Sequence, residues 1–340
     1  MAWCRRVFTF LLLGLSLVSC GNETQQETTG LQVGLVFDIG GRGDKSFNDS
    51  AYRGLERAHR DLGIQFEYLE PTEGSDREAG LREYASRGFD LIIGTGFMFS
   101  DDMEKMAREF PEVRFACVDY TVEFDEDGRP LPLPDNLVAL KFREEEGSFL
   151  AGAVAIAVSK TGKIGFVGGM DIPLIHKFEA GYRAGALHVN PHADVLVRYA
   201  GVTANAFKDP AKGKELATSM YGMGADVIYH ASGTTGFGVF EAAREFDRLA
   251  IGVDSDQYAE APGYILTSMV KDVDVAVYDT IQQVQAGTFT GGIHEFGLAE
   301  DGVRIVRDEH NRNLIPDALW ERVHALRDSI AAGTIHVPRK

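Results

Sequence analysis

From residue 31 onward the chain repeats one pattern. A short apolar, β-branched run gives way to a turn rich in Gly, Asp and Ser, then to a stretch with apolar residues at helical spacing. Residues 32–37, 66–70, 91–94, 114–118 and 137–142 read as strands, and a second series follows at 163–167, 194–199, 227–230, 250–253 and 265–269. Between them, 50–62 sets Leu55, Ala58 and Leu62 on one helical face. Residues 101–110 do the same with Met103, Met106, Ala107 and Phe110 before Pro111 stops the helix. Residues 146–159, 178–188, 213–223, 239–246, 274–286 and 317–332 read as further helices.

Strands alternating with helices predict parallel sheets covered on both faces. The strands are too many for one sheet, and the series restarts near Lys163: Ile164-Gly-Phe-Val-Gly168 echoes Val33-Gly-Leu-Val-Phe-Asp38. Two similar α/β lobes are expected. In such sheets ligands bind beyond the carboxyl ends of the strands, so candidate chemistry belongs just after each run.

The first thirty residues break the rhythm. Arg5 and Arg6 precede an apolar run at 7–18, shorter than the roughly 20 residues a spanning helix needs, so residues 1–19 read as a signal peptide. Its end, Leu17-Val18-Ser19-Cys20, resembles a bacterial lipobox, which makes Cys20 the expected site of lipidation and the bilayer anchor. Residues 20–30 then form a polar tether. With Cys4 removed and Cys20 lipidated, Cys117 has no disulfide partner, and its strand-like surroundings suggest a buried thiol. The fold must rest on a real core, most naturally in two domains.

A formal charge of −17 argues against nucleic-acid binding and fits poorly with a highly anionic ligand.

The richest turn runs from Phe37 to Asp49. It has glycines and a Lys-Ser pair, but Asp44 separates Gly43 from Lys45, so it is not a phosphate-cradling loop. Ser46 with Asp49 fits a capping box for the following helix. Phe47 is either a hydrophobic staple on its own helix or a ring presented for stacking on a planar heterocycle, with Asp38 and Asn48 reading that heterocycle's edge.

The stretch from Phe37 to Asn48 resembles the signature of the basic membrane protein family, the substrate-binding lipoproteins of certain ABC importers, typified by a purine nucleoside receptor. Ile92-Ile-Gly-Thr-Gly96, Phe115-Ala-Cys-Val-Asp119, Ile164-Gly-Phe-Val-Gly-Gly169, Phe178-Glu-Ala-Gly181, Phe207-Lys-Asp-Pro-Ala-Lys-Gly-Lys-Glu215, Gly224-Ala-Asp-Val-Ile228, Gly233-Thr-Thr-Gly-Phe-Gly-Val239 and Ile335-His-Val-Pro338 agree in order along nearly the whole chain.

The resemblance implies a type I periplasmic-binding-protein fold with three crossovers, placed near Phe142, within 254–263 and near Phe296. Lobe 1 would hold 31–142 and about 264–296, and lobe 2 would hold 143–263 and about 297–312. A C-terminal helix and tail would fill 313–340. It also implies a monomer that passes a purine nucleoside, of the guanosine, inosine or adenosine class, to an ABC permease. The nucleoside would lie between Phe47 and a second ring, Phe207 or Phe178.

The polar set follows from chemistry. Asp38 and Asp119 can accept N–H donors from a base edge, and Asn48 can donate and accept. Asp254 can take ribose hydroxyls, Lys271 can donate to a hydroxyl or ring oxygen, and Gly233 lets a backbone N–H approach closely.

Other constellations fail. Pro191 interrupts any helix joining His188 to His192, no metal or cofactor is expected, and Lys208, Lys212 and Lys214 read as a solvated face. Neither a nucleophile elbow in the domain nor a full dinucleotide fingerprint occurs. The alternatives are a receptor for a sugar or signalling molecule, or an enzyme that cleaves nucleosides with Asp38 or Asp119 as base.

Overall fold

The computed structural model describes residues 30–71 and 75–340; the expected signal peptide and the lipidated Cys20 lie outside them. The first lobe opens with β1 (Gln32–Val36), α1 (Phe47–Leu62), β2 (Gln65–Leu69), α2 (Ser75–Ser86), β3 (Leu91–Thr95), α3 (Ser100–Glu109), β4 (Arg114–Val118) and β5 (Leu137–Phe142). β3 is buried at every residue and β1 and β4 at four of five, as near-continuous apolar runs require when helices cover both faces of a parallel sheet. β2 is more open, and it forms the sheet edge.

The chain then crosses into α4 (Glu144–Val158), β6 (Lys163–Met170), α5 (Pro173–Val189), β7 (Asp194–Gly201), α6 (Pro210–Gly222), β8 (Val227–Ala231), α7 (Gly236–Phe246), β9 (Leu249–Asp254) and β10 (Ile265–Lys271). It closes with α8 (Val273–Gln285), β11 (Gly292–Phe296), β12 (Val303–Ile305) and α9 (Asp317–Ala331). Two six-stranded sheets result, in the orders β11-β5-β4-β3-β1-β2 and β12-β10-β9-β8-β6-β7. All pairings between named strands are parallel except β10 with β12.

The chain passes between the sheets at Arg143, at Asp272 and through residues 297–302. The expected middle crossover within 254–263 is therefore misplaced. That segment loops back through one short 3₁₀ turn and returns to the same sheet, so residues 264–271 belong to the second lobe. A parallel return without a helix broke the rhythm on which the boundary rested. The C-terminal helix α9 packs on α4 of the second lobe rather than standing apart.

The hydrophobic pattern does not predict α2, β11 or β12. α2 has a weak apolar stripe, and the two late strands are short and only partly buried. Phe178 does not open its helix either. α5 begins at Pro173, whose missing N–H suits a first helical turn, and Phe178 follows in the second turn.

α4 and α5 approach closely because glycines line the seam. A methyl group at Gly152 would lie 1.9 Å from the Tyr182 carbonyl oxygen, and one at Gly181 would lie 2.1 Å from that of Glu145. This contact fixes the first turn of α4, with Glu144 and Glu145, against Lys177 and Phe178 of α5.

Candidate functional site

The strand ends of both sheets converge on one cavity. Asp38 after β1, Gly96 after β3 and Asp119 after β4 line it from the first lobe, with Phe47 and Asn48 from the start of α1. Phe178, Phe207, Gly233, Asp254 and Lys271 line it from the second lobe. All nine residues singled out from the sequence thus share one space between the lobes. With the lobes in this arrangement the cavity holds about 70 Å³ of free space, less than small-molecule sites usually offer, so a bound ligand requires the lobes to part further.

Local structure fixes what each group can offer. The Asp38 backbone N–H donates to Asn48 Oδ1 at 3.2 Å, and the Thr95 hydroxyl lies 3.1 Å from the same oxygen. The Asn48 carbonyl is thereby used inside the first lobe, which leaves its Nδ2 group as a donor. The expectation that Asn48 both donates and accepts is narrowed accordingly. Asp38 Oδ1 accepts the Ile39 N–H at 2.7 Å. Burial raises the Asp38 pKa to about 7, with Arg77 pulling it down and Asp119 and Asp44 pushing it up.

The capping expectation is corrected. Ser46 makes no side-chain cap on α1. Instead Asp44, buried at 2% exposure, accepts the N–H groups of Ser46, Asn48 and Asp49 at 2.9, 2.8 and 3.1 Å. Asp44 therefore organises the helix start that carries Phe47 and Asn48. Ser46 is freed to reach across the cleft, where its hydroxyl donates to Asp254 Oδ2 at 2.7 Å. Ser255 returns a hydrogen bond to the Ser46 carbonyl at 3.0 Å.

Among the described residues lining the cavity, Lys271 is the one cation. Its ammonium donates to Asp119 at 2.7 and 2.9 Å and lies 3.5 Å from Glu144. It also sits 4.8 Å from the Phe47 ring centre, 5.2 Å from that of Phe142 and 5.8 Å from that of Phe178. Burial works against its charge, but the surrounding carboxylates of Asp119, Glu144 and Asp254 hold its pKa above the ordinary value. Glu144 is bridged in turn to Lys177, which also donates to the Phe142 carbonyl at 2.6 Å. Burial lifts Asp254 to about 6 against the pull of Lys271 and the Ser46 hydroxyl.

Asp119 and Asp254 occupy matching strand ends in the two lobes, and both adopt left-handed backbone, with φ of 62° and 61°. Such geometry costs about 1–3 kcal/mol and is retained where surrounding structure imposes it, often at functional sites.

The sequence reading missed Asp44, Ser46, Glu144 and Lys177. Glu144 opens an acidic run of three, which reads as ordinary helix N-terminal charge. His188 packs against the Phe149 ring at 5.5 Å. Among the described residues no group of three or more His, Cys, Asp or Glu is placed to hold a metal, and no helix is long and apolar enough to cross a membrane.

Residues 31–340 match the family of PnrA-like ABC transporter substrate-binding proteins, Bmp. The chain belongs to the Bmp family. Bmp relatives include the CD4+ T-cell-stimulating antigen of Listeria innocua, 36% identical over 96% of this chain and 95% of that protein. An uncharacterised lipoprotein of Pyrococcus abyssi is 33% identical over 95% of this chain and 90% of its own length. Among solved structures, an ABC transporter solute-binding protein from Aeropyrum pernix superposes with a TM-score of 0.80 at 31% identity, covering 91% of this chain and 94% of that one. The Bmp fold, two parallel-sheet lobes around a cleft, is that of a type I periplasmic-binding protein, and its role is solute binding.

Proposed function

We propose that this protein captures a purine nucleoside in the interlobe cavity and delivers it to an ABC permease as a monomer, without transforming it. The observation that carries this reading is the wall formed by Asp38, Phe47 and Asn48. A carboxylate acceptor and an amide donor stand beside an aromatic ring, which complements a flat base whose edge carries a donor next to an acceptor. Phe207 or Phe178 supplies the second ring from the other lobe. In this reading Asp119 accepts from the base edge, Asp254 takes ribose hydroxyls, Lys271 donates to a hydroxyl or ring oxygen, and Gly233 admits a backbone contact.

Closure brings Ser46 to Asp254 and Lys271 to Asp119 across the cleft, so ligand and lobe contacts form together. Cys20 anchors the receptor to the cell envelope through lipid, and the lipoprotein name of the Pyrococcus relative supports that placement. Mass spectrometry of the small molecule released on denaturing the purified protein tests this reading. Release of an intact purine nucleoside is expected, whereas a sugar or a free base would contradict it.

A further inference from the structure

Behind Gly233 lies a buried polar chain that the ligand reading leaves unused. Ser232, His230 and Gln257 are all 1% exposed or less, and Ser232 lines the cavity. The Val253 backbone N–H donates to Gln257 Oε1 at 2.8 Å, which identifies that atom as the oxygen. His230 Nε2 lies 3.1 Å from the same oxygen and must therefore carry the proton. Burial lowers the His230 pKa to about 4, so the ring is neutral and its Nδ1 is bare. Ser232 Oγ stands 3.3 Å from Nδ1 and can only donate to it. The serine proton is committed inward, and its oxygen is left with lone pairs alone.

We infer that Ser232 is a ligand-contacting specificity residue which accepts a hydrogen bond from a hydroxyl or amine of the bound molecule, its polarity set by His230 and Gln257. The inference rests on the interlobe cavity being the nucleoside site. It adds an acceptor on the second lobe, beside Asp254, to the cavity wall. His230 and Gln257 act as positioning residues through the serine.

Calorimetric titration of the parent protein, Ser232→Ala and Ser232→Thr tests this with guanosine, its 2′-, 3′- and 5′-deoxy analogues, and inosine. One analogue is expected to lose about tenfold in affinity against the parent and against Ser232→Thr, and to lose nothing against Ser232→Ala. Identical analogue penalties in the parent and Ser232→Ala overturn the inference, whatever happens to absolute affinity. Ring nitrogen NMR of His230 reads the polarity independently: a protonated Nε2 and bare Nδ1 between pH 5 and 8 are expected, and the opposite tautomer overturns it. If the parent binds none of the nucleosides, the functional reading fails instead, and the His230 tautomer still decides whether the chain has this polarity.

Discussion

Lys271, the last residue of β10 in the second lobe, grips both carboxylate oxygens of Asp119, just past β4 in the first, at 2.9 and 2.7 Å. The pair spans the cleft at 2% and 6% side-chain exposure. Lys271→Met leaves Asp119 and Glu144 buried without their shared cation. Breaking such a pair costs about 3–5 kcal/mol, so denaturant unfolding of the ligand-free variant is expected to show a loss of that order. Nucleoside affinity is expected to fall at the same time. Unchanged stability would mean that the bridge does not hold the lobes.

Phe47→Ala removes the ring but not the helix start, because Asp44 still accepts the three N–H groups beneath it. Stacking of a base on an aromatic is worth about 1–3 kcal/mol, so nucleoside affinity is expected to fall about 10- to 100-fold. Circular dichroism is expected to match the parent, with thermal stability lowered modestly because the ring packs on the core and lies near Lys271. A variant that binds as tightly as the parent would return Phe47 to a purely structural role.

Asp44 yields the complementary prediction. Asp44→Ala strips the organising acceptor from the start of α1, costing about 1–2 kcal/mol in stability, and loosens Phe47 and Asn48 together. Asp44→Asn retains one acceptor and is expected to fall between parent and alanine in both stability and affinity. Equal affinities across the three proteins would show that the helix start does not need this cap to present its side chains.

The strand-end chemistry was legible in the sequence, whereas the contacts across the cleft were not. Asp38, Asp119, Asp254 and Lys271 each end an apolar run, and an α/β sheet delivers such residues to one side whatever the details of packing. Ser46 looked like a local cap because Ser-x-x-Asp is a local pattern. Its actual partner, Asp254, lies 208 residues away, and only the meeting of the lobes brings the two together. The crossover at Asp272 was missed for a related reason, since nothing local distinguishes a loop that returns to its own sheet from one that leaves it.

Asp38 makes the ligand-free protein sensitive to pH. Its folded pKa of about 7 lies above the ordinary 3.8, so the native state holds a proton that the unfolded chain has released. Stability from this group is therefore lost as pH rises toward and through 7. His230 acts in the opposite sense, with a folded pKa of about 4 below its ordinary 6.5, but that effect is largely complete by pH 6.5. From pH 6.5 to 8 the thermal midpoint is expected to fall, and Asp38→Asn is expected to flatten the slope. A slope unaltered in that variant would remove Asp38 as its source.

The cleft is expected to read a base as well as a sugar. Calorimetric titration of the purified protein with guanosine, inosine, adenosine, ribose and glucose tests it most directly. At least one purine nucleoside is expected to bind with a Kd of about 1 μM or tighter, equivalent to about −8 kcal/mol, while ribose and glucose give no measurable heat. Saturable binding of a sugar with no response to any nucleoside would contradict the account.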